Sequence, residues 1–250
     1  MSSNSATDSI QLYLNSGYAD TKVNNDTSIC FYNFPQITIP DGHYIYLSLQ
    51  NAVIPYSFYS INENNNKLII LSNSITTTIT IETGNYNINQ MIVGLKAQLG
   101  VLYNITYNVL KNKITIVNST NEFTILTTGT LNHALGFSTL FNTVSVARSV
   151  TSESCVNLNS IRAINIEIDM PTYNINVAQK LNQNILATIP VIAQPFGMIN
   201  YTNNNNFRIN MFMDKMESIK IKLLDNMNNL LNMNNVNYQM TLQIDIVQFT

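Results

Sequence analysis

The last quarter of the chain constrains its fold most strongly. Residues 218–223 read Ser-Ile-Lys-Ile-Lys-Leu, and Tyr238, Met240, Leu242, Ile244 and Ile246 repeat the same alternation of apolar and polar positions. A period of two marks a strand with one buried face, so two strands lie here, and the second runs almost to the C-terminus. Similar alternation recurs through most of the sequence, with one convincing helix. The chain therefore reads as an all-β shell rather than as a scaffold for a cleft, which tilts its function toward assembly.

A chain of 250 residues buries a large core, and all-β domains of this size are commonly single, so one domain is expected. Charged residues supply only 10% of it, against roughly 25% in an average soluble domain. Asn fills the gap, at about one residue in six. An amide surface meets another subunit without burying unpaired charge. Enrichment in Asn, Ile, Lys and Tyr is also what an AT-rich genome produces, so composition alone does not establish assembly. The net charge of -2 leaves no electrostatic footprint for direct nucleic-acid binding. Cys30 and Cys155 make no disulfide scaffold and are expected as buried, reduced thiols. The polar N-terminus has no signal-peptide pattern, and no apolar run is long enough to span a membrane. The expectation is a soluble protein made in a cytosol-like compartment.

Residues 1–20 read as an arm, polar except for Ile10, Leu12 and Leu14, that pairs with a neighbour's sheet edge or with its own. Strands are expected near 28–34, 43–53, 67–71 and 75–82, with a Pro40-Asp41-Gly42 turn between the first two. Ile88, Met91, Ile92, Leu95 and Leu99 recur at helical spacing. Asn87 and Gln90 form a capping box and Gly100 stops the helix, which places an inserted helix at about 87–100. Further strands follow at 103–109, 113–117, 122–126, 162–170, 185–193 and 207–213, with a helical turn at 131–137 closed by Gly136. Pro190 argues for a sheet edge. With no linker to divide domains, residues 21–250 are expected to form one antiparallel sandwich.

Chemistry is sparse. His43 and His133 have no second ligand at metal-binding spacing. Glu167 and Asp169 share a strand face, where a solvated surface explains them more simply than calcium or a carboxylate pair. No Gly-rich phosphate loop follows a strand. No catalytic residue, cofactor or metal is therefore assigned. Tyrosines crowd the first quarter without interleaved basic residues, which favours protein-interface anchors over base stacking.

Three stretches carry a family resemblance: Leu14-Asn15-Ser16 with the later Ile39-Pro40-Asp41-Gly42; residues 49–61, a strand running into the Ile54-Pro55 corner, with Ile81-Glu82-Thr83-Gly84-Asn85-Tyr86; and the terminal pair 219–225 and 238–246. In these the chain resembles the penton and minor capsid jelly-roll proteins of virophages, polinton-like viruses and related giant DNA viruses. The resemblance implies an all-β, antiparallel jelly-roll sandwich with one inserted amphipathic helix. It also implies a non-enzymatic virion capsid subunit, made in the host cytoplasm or a viral factory. Its partners would be copies of itself, in a ring of five at a vertex, and the major capsid protein. A cement role between capsomers and a lectin-like receptor-binding module are the alternatives. Candidate contact residues are Leu12 and Tyr13 in the arm, and Tyr56, Phe58 and Tyr59 after the Pro55 corner.

Overall fold

A computed structural model describes residues 8–23, 27–170, 175–176, 181–182 and 184–248. In chain order, β1 (Asp8–Asn15), β2 (Thr21–Lys22), β3 (Ile29–Thr38) and β4 (His43–Pro55) come first. Next are β5 (Lys67–Ser72), β6 (Ile75–Thr80), α1 (Ile88–Leu99), β7 (Tyr103–Asn108), β8 (Lys113–Asn118), β9 (Phe123–Ile125), α2 (Asn132–Leu135), β10 (Thr143–Val144) and β11 (Ser149–Thr151). The chain then forms β12 (Ala163–Ile168), β13 (Ile175–Asn176), β14 (Leu181–Asn182), β15 (Ile185–Pro190), β16 (Met198–Thr202), β17 (Ile209–Met211), β18 (Lys215–Leu224) and β19 (Gln239–Gln248). Two compact units result, Met1–Phe58 with Ile161–Thr250, and Tyr59–Ser160. The sequence marks only the helix as inserted, whereas the unit that holds the helix runs the whole of Tyr59–Ser160.

The first unit has two large antiparallel sheets, besides the short β13-β14 pair. One runs β1-β19-β4-β16, with β17 also on β4, and the other runs β15-β12-β18-β3-β2. Taking β1, β3, β4, β12, β15, β16 with β17, β18 and β19 as successive strands one to eight, the sheets read 1-8-3-6 and 2-7-4-5. That order is a jelly roll, two nested Greek keys in which the first and last strands pair. The second unit enters between the third and fourth of these strands.

Alternation places one core between these faces. Met240, Leu242, Ile244 and Ile246 of β19 and Ile164, Ile166 and Ile168 of β12 are buried in it, each such side chain contributing about 1.5–3 kcal/mol. In β4 the inward set is Ile45, Leu47 and Leu49, then Ala52 and Ile54, a break in parity that alternation alone does not allow. A bulge resolves it: Leu242 pairs with Leu49 and Thr241 with Asn51, so Gln50 is an extra residue. Pro35 is accommodated in the same way, because residues 34–36 lie opposite Glu217 alone between the Asn33 and Ile37 pairings. Pro190 closes β15, an edge strand, as its missing N–H requires.

From residue 8 onward the arm is a strand of its own sheet. β1 pairs with β19 along its full length, placing Ile10, Leu12 and Leu14 opposite Ile244, Leu242 and Met240 on the core side. Its small apolar patch is the strip of core that would otherwise stand open along β19.

The second unit has the sheets β10-β9-β5-β6 and β11-β8-β7, with a core of its own. α1 buries Met91 and Leu95 and packs on β7 and β6. Its capping box is present as the sequence predicts: Gln90 N donates to Asn87 Oδ1 at 2.9 Å, and Asn87 N donates to Gln90 Oε1 at 3.0 Å. Gly136, at φ 81, ends α2 in the left-handed region, where a Cβ would sit 2.3 Å from Ser154 O. Only glycine fits there.

Candidate interface and binding surfaces

The reactive residues are dispersed or already engaged. His43 Nδ1 lies 3.1 Å from Asp41 O in the first unit, while His133 is exposed on α2 of the second. Cys30 is buried and donates to Thr27 O at 3.2 Å. Cys155 departs from expectation: it is free and exposed, because it follows the last short strand of its unit and lies outside the core. Glu167 forms an ion pair with Lys222, directly opposite on β18, and Asp169 Oδ1 accepts from Lys220 N at 3.1 Å. Both carboxylates thus serve the sheet face. Among the described residues no group of three His, Cys, Asp or Glu is placed to hold a metal. No described helix is long and apolar enough to cross a membrane.

The five residues singled out as contacts divide sharply. Tyr56 and Phe58 are each 1% exposed and stack at 4.3 Å between ring centroids. They are core residues, not anchors offered to a partner. The chain turns inward after Pro55 because Tyr56 N donates to Gly197 O at 2.9 Å and Ser57 Oγ donates to Met233 O at 2.7 Å. Tyr59 is half-buried at the start of the second unit. Leu12 is half-buried against the core, while Tyr13, on the opposite face of β1, is 77% exposed. Of the five, Tyr13 alone presents a large apolar surface to solvent.

Sequence reasoning passes over a better presented aromatic. Phe196 is 82% exposed and holds φ 67, and Ile192, four residues earlier in the chain, is exposed as well. A bulky residue in that region costs about 1–2 kcal/mol. Backbone bonds impose it: Phe196 N donates to Tyr56 O at 3.0 Å, and Gly197 N donates to Gln194 O at 2.9 Å. The signal was Pro195-Phe196-Gly197, an aromatic between two turn-formers. The second unit exposes Leu110 beyond β7 and Leu140, Phe141 and Val146 around β10.

A second surface lies on the outer face of the β19-β4 pair. Tyr44 and Tyr46 meet edge to face at 5.2 Å, Phe212 lies 5.9 Å from Tyr44, and the Arg208 guanidinium stands 3.8 Å over the Tyr46 ring. Such a contact holds a cation in place at about 0.5–1 kcal/mol when exposed. Beside it opens a groove lined by Ser48, Gln50, Gln243 and Asp245 from the sheet and by Asn206 and Arg208 from the β16–β17 loop.

No family model and no curated protein matches this chain. Its fold is similar to that of the mavirus penton protein, whose crystal structure was solved in selenomethionine-labelled form. The two are 13% identical, the match covers 96% of this chain and 100% of that one, and the TM-score is 0.56. VP17, a capsid protein of bacteriophage P23-77, aligns over 97% of this chain at 8% identity, but a TM-score of 0.16 carries no argument. What the first similarity shows is a shared fold along nearly the whole chain.

Proposed function

We propose that this chain is a structural subunit of a viral capsid, and that it is the penton filling the vertices of an icosahedral double-stranded DNA virus. The observation that carries the reading is the fold likeness to the mavirus penton protein, which extends over 96% of this chain and therefore takes in the inserted unit as well as the jelly roll. The function is geometric. Five copies close a ring when one lateral surface of each subunit matches the opposite surface of the next. Exposed, rigid aromatics suit such contacts, and Tyr13 on the edge strand β1 and Phe196 on its strained turn are the residues assigned to them. Leu12 supports Tyr13 from the core side, and Tyr59 is a further contact. The ring in turn meets the major capsid protein, and a net charge of -2 assigns no grip on the genome. The subunit is made in the host cytoplasm or a viral factory and resides in the virion.

Native mass spectrometry tests the ring. Five copies of the 28.1 kDa chain are expected, and Phe196→Ala with Tyr13→Ala should shift the population toward monomer without unfolding it. A monomer at all concentrations, found in particles between capsomers, would replace the penton by a cement protein.

A further inference from the structure

The polar groove beside Arg208 has a cavity volume of about 320 Å³, at the lower end of the range typical of small-ligand sites. It exists because two irregularities coincide. Gln50 is the bulge residue of β4, and at the same level the partner strand is interrupted between β16 and β17. Asn203 fixes that interruption: its backbone N donates to Gln50 O at 2.9 Å, its Nδ2 donates to Phe207 O at 2.7 Å, and its Oδ1 accepts from Phe207 N at 2.9 Å. The loop is thereby held as a wall over the sheet, and Arg208 is held against Tyr46.

We propose that this groove binds a neutral, hydroxyl-rich saccharide unit; the inference does not rest on the capsid reading. Arg208 makes no ion pair with any described residue, and its guanidinium offers five donors in a fixed fork. Asp245 supplies the complementary acceptor. Ser9 Oγ at 2.6 Å and Gln243 Nε2 at 2.8 Å both donate to its Oδ1, which orients the carboxylate and leaves Oδ2 for a ligand. Gln50 Nε2 is likewise tied to Ser48 Oγ at 2.8 Å, leaving its carbonyl oxygen as an acceptor. Planar donors and acceptors in a preset arrangement match adjacent hydroxyls, each of which both donates and accepts.

Other ligand classes fit worse. An apolar ligand would desolvate amides and charges without replacing their hydrogen bonds. A polyanion or nucleic acid needs several cations, and the groove holds one beside a carboxylate. A single carboxylate does not hold calcium.

The experiment is a binding assay of the full chain against oligosaccharides ending in galactose, mannose or N-acetylglucosamine, with sialylated and sulfated glycans and inorganic phosphate as comparison probes. At least one neutral oligosaccharide is expected to bind. Arg208→Ala and Asp245→Asn are each expected to weaken it about tenfold or more, the effect of losing a charge-assisted hydrogen bond, while thermal unfolding stays cooperative and shifts by only a few degrees. Lys96→Ala on α1 should leave binding intact. Should either groove variant misfold, the unmutated chain supplies the readout: bound saccharide should shield Arg208 from modification by phenylglyoxal. Absence of neutral saccharide binding, binding insensitive to both folded variants, unshielded Arg208, or binding confined to sialylated, sulfated or phosphate probes would each overturn the proposal.

Discussion

The jelly roll and the inserted unit both bury a core between antiparallel strands, but they close very different loops to do so. In the inserted unit Lys67 pairs with Thr80 and Asn108 with Lys113, so its hairpins form between sequence neighbours. Asn73 and Ser74, both at positive φ, make the tight turn of the first. In the jelly roll Asp8 pairs with Ile246 and Cys30 with Ile221, contacts that span most of the chain. Long loops cost entropy that is regained only when the whole sheet is in place. The lesson is that the jelly roll should fold as one cooperative block, while Tyr59–Ser160 closes far shorter loops, its widest strand pairing joining Ile70 to Ile125.

The most severe way to break this comparison is to delete residues 238–250. That removes β19 from between β1 and β4, so amide protection should vanish across the jelly roll and persist in residues 59–160, read by hydrogen-exchange mass spectrometry. Protection of β3 and β4 after the deletion would refute the cooperative block. Next in size are single core truncations, one per unit: Ile244→Ala and Leu95→Ala should each cost about 2–5 kcal/mol. Each loss should be confined to the unit that carries the substitution.

Smaller changes sharpen the comparison. Gly42 at φ 74 and Gly136 at φ 81 are both left-handed, but a Cβ at Gly42 meets nothing within 4 Å whereas one at Gly136 collides with Ser154 O. Gly42→Ala should therefore cost about 1 kcal/mol and Gly136→Ala clearly more, in chemical denaturation of each variant. Asn87→Ala removes the side-chain half of the cap on α1 and should cost about 1 kcal/mol, felt in the inserted unit alone.

The same contrast governs how much of the molecule was legible in its sequence. α1 was readable to the residue because its spacing, cap and stop are all local. Strand faces were readable too, as Ile164, Ile166 and Ile168 show, since alternation is local as well. Partners were not: nothing near Leu12 says that it lies opposite Leu242. β16 was missed because its five residues follow Pro195 and Gly197, which read as a loop. The direction of the Pro55 corner misled the reading of Tyr56 and Phe58, because the hydrogen bonds that turn them inward are accepted by the carbonyls of the distant residues 197 and 233. The groove was invisible for the same reason, since residues 48–50, 203–208 and 243–245 meet only through the register of β4 with its neighbours.

The central proposal, that this chain builds a capsid vertex, is tested most directly by a cryo-electron microscopy reconstruction of particles purified from the source of this sequence. The account predicts density at the fivefold vertices into which five copies of the jelly roll fit. Particles that lack the chain altogether would contradict it.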